Sequence, residues 1–432
     1  MEATLAIPSV PVERHALACG AKLLVSPRAG GGVCAAAIHL RGGNSLDPKG
    51  REGLAHLAGR LVDQGTKRSS EEELAARLED VGGSFAGGAI GLSGQVANDH
   101  WELLLATLCE CLTEPTYPAD KVARQKQRLL DRIQVDLEDP RVQGAEGFRR
   151  LVYGAHWLGR PEHGDLASVK RIARADLQRF QQREWCGKRA VIAVSGDVSG
   201  EAVRRFLDQH LKRFPAGADL GPPDLTFPPP GVRTAVFPAD RQQVHVFLGH
   251  LGITRTHPDY APLVVMDHVL GTGPGFTNRV AKRLRDELGL AYTVSASISS
   301  SAGTLPGTFT AYIGTSPEHL TTSVQGFLAE MHRIRTEPVA ADELELAKNY
   351  LTGSFVLGFE RAVRRVQVMV AAERNKLPDD HLRQLVTAFA NVTAADVQRA
   401  ARTHLHPHLC CLSVAGPKAK KAELEALVKA PG

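Results

Sequence analysis

Aromatic residues make up only 5% of this 432-residue chain, and no charge of one sign dominates it. Lys and Arg number 52 against 47 Asp and Glu, a net charge of +5 that no stretch concentrates. Charge so diffuse argues against a nucleic-acid-binding footprint. No window approaches about eighteen consecutive apolar residues, so no membrane-spanning helix is expected. The start carries Glu2 and is broken by Pro8 and Pro11, and so lacks the basic, uninterrupted apolar pattern of a secretory signal. The seven cysteines (Cys19, Cys34, Cys109, Cys111, Cys186, Cys410, Cys411) are odd in number and follow no zinc spacing. They read as buried, reduced thiols of a cytoplasmic protein. A G-x-S-x-G nucleophile elbow and a P-loop are both missing. The glycines of GTGPGF (271–276) follow a helical pattern and not a strand, which argues against a dinucleotide cradle.

What remains is ordinary globular material, 43% hydrophobic and 23% charged, too long for one core and suited to two domains. The clearest break is PAGADLGPPDLTFPPP (215–230), with six prolines in sixteen residues, which can continue neither a helix nor a central strand. It divides the chain almost in half, and the halves resemble each other. At an offset of 220, Asp176 matches Asp396, Gln178 matches Gln398, Arg179 matches Arg399 and Gly196 matches Gly416, each copy reading as helix and then buried strand. LVDQGT (61–66) lies opposite DHVLGT (267–272), and the helical pattern at 120–130 opposite 342–352. Strands are expected at 34–43 and, paired, at 84–97. Helices are expected at 51–66, 69–83, 100–115 and 118–137, the second opened by a serine cap and stopped by a glycine pair. The lack of strict βαβ alternation predicts an α+β fold of two homologous domains, each a mostly antiparallel sheet packed with helices. Their boundaries are set at 1–214 and 232–432, with a proline-rich linker at 215–231.

The candidate chemistry lies at His56-Leu57-Ala58-Gly59-Arg60, followed by Gly65-Thr66, and at Leu284-Arg285 with Gly289-Leu290-Ala291-Tyr292 in the second half. Together with HWLGRPEHGDLASVKRIARADLQRF (156–180) and the duplication, these segments resemble peptidase family M16, the pitrilysin and mitochondrial-processing-peptidase-like family. That family carries His-x-x-Glu-His on a helix, two zinc ligands with a general base between them. Matched onto it, this chain keeps His56, has Gly59 at the base position and has Arg60 at the second ligand position. Aligning Glu138-Asp139-Pro140 with the family's later turn puts Arg132 at the third ligand, and a usually acidic position one helical repeat earlier is Gln125. Glycine takes no proton, and a guanidinium has donors only. At 4 Å and an effective dielectric of about 20, a dication beside one arginine costs about 8 kcal/mol. This chain is therefore expected to bind no zinc there, and Arg60 and Arg132 to pair with Asp63 or a neighbouring carboxylate.

The resemblance further implies that Arg285 and Tyr292 hold the substrate backbone and stabilise the oxyanion across a chamber. Alternation of Leu290, Tyr292 and Val294 alone reads equally as a strand with a core-facing tyrosine, and Arg285 as a solvated charge. Arg279, Lys282 and Arg283 read as a basic helix face. The implied function is that of a metal-free subunit, inactive alone, in a heterodimeric zinc peptidase. A homologous subunit with an intact motif would carry the zinc, and unfolded peptide would add as a strand to a sheet edge. The alternative is a scaffold or peptide-binding protein of the same fold, as a homodimer. HLHPH (404–408) is the densest histidine set and reads as a turn.

Overall fold

A computed structural model describes residues 11–274, 277–357, 361–417 and 421–429. Residues 1–10, with Glu2 and Pro8, and Gly275 and Phe276 of the glycine run lie outside them.

The first sheet contains β1 (Glu13–Ala16), β2 (Lys22–Pro27), β3 (Val33–Leu40), β4 (Ser84–Gly88), β5 (Gly91–Ala97) and β6 (Ala190–Gly196), in the order β1-β2-β6-β3-β5-β4. The second contains β7 (Thr234–Pro238), β8 (Val244–Leu251), β9 (Val294–Ser297), β10 (Thr308–Thr315) and β11 (Cys411–Gly416), in the order β7-β11-β8-β10-β9. Apart from the extra β1, the two sheets have one plan. β2 with β6 and β7 with β11 are parallel, and every other neighbouring pair is antiparallel. The repeat extends to register, since Gly196 lies opposite Pro27 and Gly416 opposite Pro238. The matched aspartates cap matched helices. Asp176 Oδ2 accepts from Ala173 N–H at 2.9 Å, and Asp396 Oδ2 from Thr393 N–H at 3.1 Å.

β6 and β11 are buried along their whole length, so each sheet is covered on both faces. In the first sheet, Leu23, Val25, Ile192 and Val194 point into a core made with that half's own helices. The alternate residues Leu24, Ala35, Val191 and Ala193 meet Ala362, Val366 and Met369 of the helix Ala362–Arg374, which belongs to the second half. The second sheet receives the helix Pro140–Tyr153 from the first half, packed through Phe148 and Val152 on Phe247 and Cys411. Each half thus lends one helix to the other's sheet. Arg365 Nε donates to Ser195 Oγ at 2.8 Å beneath one of these helices, while Arg14 Nη1 and Lys22 Nζ each reach Glu373 at 2.6 Å. The segment 215–233 has neither helix nor strand, yet it is pinned by Gly187 N–H to Pro215 O at 2.8 Å and by packing of Phe227 on His156 and Tyr153.

Two local expectations change. The helix expected at 51–66 spans only Leu54–Arg60, because Gly65 adopts φ +137° and the chain bridges back to Ser70 and Pro115. Tyr292 precedes β9 in a loop and is 93% exposed, so it is neither on the strand nor in the core.

Candidate functional site

The helix Leu54–Arg60 is seated by Asp47. Its carboxylate accepts from the N–H groups of Gly53 (2.8 Å) and Ala55 (2.7 Å), meeting the unpaired donors of the first turn. Burial pushes the Asp47 carboxyl up to about 6, while these hydrogen bonds act in the opposite direction. One turn along, His56 and Arg60 share a helix face, and both border a cleft of about 640 Å³. Gly59 instead faces β4. A Cβ there would lie 1.9 Å from the carbonyl oxygen of Gly88, and a Cβ on Gly87 would lie 2.3 Å from the carbonyl oxygen of Gly59. Helix and strand meet backbone to backbone, so the position matched to the family's general base is a packing contact here.

Arg60, Arg128 and Arg132 bring three guanidinium groups to the cleft, against Asp136 and Glu162. Asp136 is already engaged by Arg132 Nε at 2.8 Å and lies 3.9 Å from His163 Nε2. Arg132 therefore finds its carboxylate one helical turn away, as expected. Arg60 does not pair with Asp63, whose carboxylate accepts from Gln64 Nε2 (3.0 Å) and Gly87 N–H (3.3 Å) instead. His56 lies edge-on to His163 with ring centroids 6.3 Å apart. Burial, with His163 and Arg60 adding to it, pushes His56 down to about 4, so its imidazole is neutral at neutral pH. These residues do not fit zinc, because one imidazole faces an arginine-rich wall where the family's other ligands would converge. Sequence reading brought His56, Gly59, Arg60, Gln125 and Arg132 to this helix pair. It missed Arg128, Asp136 and His163, although the Arg132–Asp136 spacing was a visible helical ion-pair signal.

Arg285 and Tyr292 belong to the second half, and neither borders this cleft. Arg285 is on a π-helical stretch, Ala281–Glu287, a geometry that recurs at functional sites. Its guanidinium is mostly buried, with Nε 2.8 Å from Asp286 Oδ1. Gly289, at φ +62°, ends the stretch, and Tyr292 follows in the open loop. Of the basic face expected beside them, Lys282 and Arg283 are exposed, but Arg279 is not: it is 5% exposed and makes a two-pronged pair with Glu343 at 3.0 and 2.7 Å.

Among the described residues, one trio of His, Cys, Asp or Glu side chains brings donor atoms within 4.8 Å of one another: His257, Asp259 and His404. Sequence reading had only His404, because residues so far apart in the chain carry no spacing signal. All seven cysteines are buried and unpaired. No helix among the described residues is long and apolar enough to cross a membrane.

Comparison with known proteins gives two family matches. The pattern described as insulinase (peptidase family M16) covers residues 24–145, and that described as peptidase M16 inactive domain covers 171–351. An uncharacterized zinc protease of Mycobacterium bovis is 25% identical over 395 residues, 88% of this chain and 87% of that protein. Another from Streptomyces coelicolor is 25% identical over 377 residues, 84% of this chain and 81% of that protein. Among solved structures, a peptidase M16 inactive domain from Pseudomonas fluorescens superposes with a TM-score of 0.88 at 24% identity, covering 95% of this chain and 99% of that one. Complex III2 from Candida albicans matches with a TM-score of 0.75 at 14% identity, covering 97% of this chain and 100% of the matched chain.

Proposed function

The chain belongs to peptidase family M16, and from that premise we propose that it is the metal-free member of a two-subunit peptidase. It holds unfolded peptide and presents Arg285 and Tyr292 to a homologous subunit that keeps an intact His-x-x-Glu-His and carries the catalytic zinc. One observation carries the reading. The general-base position is a glycine pressed against β4, with Arg60 beside it, while the exposed Tyr292 remains available to a partner or a peptide. Relatives across most of the chain bear the name zinc protease, which supports a link to peptide cleavage. The seven buried thiols favour the reducing cytoplasm as its compartment.

The test is to purify the chain alone and with a zinc-bearing homologue of similar length from the same source, and to assay both on an unfolded peptide. The chain alone is expected to be inactive and the pair active. Arg285→Ala or Tyr292→Phe is expected to lower kcat of the pair by about a hundredfold, the usual loss for one oxyanion donor. Chelator-sensitive cleavage by the isolated chain, abolished in His56→Ala, would overturn the proposal.

A scaffold role is the second reading, favoured by the engagement of Arg285 with Asp286. It predicts a homodimer that binds peptide without cutting, and whose binding is indifferent to Arg285→Ala.

A further inference from the structure

Histidines gather at one end of the second sheet. His257 lies in the turn before the helix Tyr260–Asp267, Asp259 is that helix's N-cap, and His404 is the last residue of the helix Ala394–His404. One donor atom from each lies within 4.8 Å of the other two. His404 Nε2 is 2.8 Å from Asp259 Oδ2, and the His257 and His404 rings meet edge-on with centroids 4.7 Å apart. From this convergence we propose that the second half binds one divalent transition-metal ion of the zinc class through His257, Asp259 and His404, with water completing the shell. The proposal is independent of the peptidase-subunit reading, and it amends the expectation, drawn from the motif alone, that the chain binds no metal.

The ligand set selects the ion. Two imidazoles and one carboxylate suit zinc and its first-row neighbours, whereas magnesium and calcium call for oxygen alone. All three side chains are partly buried, which limits competition from water while leaving a path for the ion. Arg399 is the feature that needs an account. Its Nη1 lies 2.8 Å from Asp259 Oδ1, so it occupies one carboxylate oxygen, while Oδ2 is hydrogen-bonded to His404 Nε2 and binds the ion by exchanging that shared proton for it. The guanidinium is 54% exposed, so solvent screens its repulsion of a cation. Outer partners of this kind commonly orient a ligating carboxylate. His257 Nδ1 accepts from the Asp259 N–H at 3.0 Å, so ligation through that nitrogen requires the ring to give up this hydrogen bond. His250 is committed elsewhere, its Nε2 accepting from the His406 N–H at 3.1 Å, which holds the turn that follows His404.

The contrast with the first half is chemical. The cleft at His56 is lined by three arginines, whereas here two imidazoles and a carboxylate converge beside a single, half-exposed arginine, Arg399. The site lies outside the His56 cleft. An ion here ties the start of one helix to the end of another, across 145 residues of sequence.

The experiment uses the full chain without an affinity tag, stripped with a chelator, dialysed against micromolar zinc and then against metal-free buffer, with bound metal counted by plasma mass spectrometry. About one zinc per chain is expected to remain in the wild type and in His56→Ala, and to be lost in His257→Ala and His404→Ala. Zinc is also expected to raise Tm in the wild type, reversibly with chelator, and to leave Tm of His257→Ala unchanged. Because His404→Ala also breaks the hydrogen bond to Asp259, His257→Ala is the variant that keeps the test readable if the other fails to fold. A wild type that retains no zinc, or a His257→Ala chain that retains as much, would overturn the proposal. Zinc lost in His56→Ala and kept in His257→Ala would overturn both this proposal and the peptidase-subunit reading.

Discussion

Gly59 has a structural duty that only a glycine can perform. Its hydrogen occupies the space between the helix Leu54–Arg60 and β4 that any Cβ would need. Gly59→Glu is therefore expected to destabilise the fold by about 1–3 kcal/mol, the usual cost of overpacking, as read by urea denaturation. For that reason Gly59→Glu with Arg60→His is expected to yield neither zinc binding at His56 nor cleavage. Two buried histidines make stability depend on pH. Burial, reinforced by Arg374 and Arg41, pushes His39 down to about 4, as burial with His163 and Arg60 does for His56. The unfolded chain binds these protons near pH 6.5 and the folded chain only near pH 4. Stability is thus full above about 6.5 and falls as pH drops toward 4, by up to about 3 kcal/mol for His39 and less for the more exposed His56. His39→Gln is expected to flatten the slope of the urea midpoint across that window. An unchanged slope would mean that the folded chain protonates His39 as readily as the unfolded one does.

At the scale of elements, the duplication was legible because both copies keep the same caps and the same strand-ending glycine. Asp176 and Asp396 are caps in fact, and Gly196 and Gly416 hold equivalent register positions opposite prolines. The lent helices were not legible. An amphipathic pattern says that a helix has an apolar face, and does not say whose sheet receives it. Phe148, 2% exposed and packed on Phe247, and Met369, 3% exposed and packed on Val191 and Ala193, anchor the two exchanges. Phe148→Ala is expected to cost about 3–5 kcal/mol and Met369→Ala about 2–5 kcal/mol. Phe148→Ala is also expected to speed protease cleavage in the segment 215–233, because Phe227 and Arg233 of that segment are held by Tyr153 and Leu151 of the same helix.

Over the whole molecule, the exchange makes the halves interdependent. Cutting the chain at the proline-rich segment leaves each sheet with a bare apolar face, Leu24, Val191 and Ala193 in one and Phe247 and Cys411 in the other. Residues 1–214 and 232–432 expressed separately are expected to aggregate or remain unfolded, and to associate into a soluble pair when expressed together. Stable folding of either fragment alone, seen as a cooperative urea transition, would contradict this account.

The sequence by itself determined the family, the α+β class, the twofold repeat and the glycine and arginine that follow His56 at positions 59 and 60. Each of these is written in local residue identity: a proline cluster, a cap, a glycine or arginine where a ligand is needed. Only the tertiary structure decided what depends on distant neighbours. It buried Arg279 against Glu343, exposed Tyr292 despite its strand-like alternation, pressed Gly59 onto β4 and brought His257 and Asp259 to His404. Local pattern reports what a side chain can do, whereas packing across the repeat decides which partner it meets.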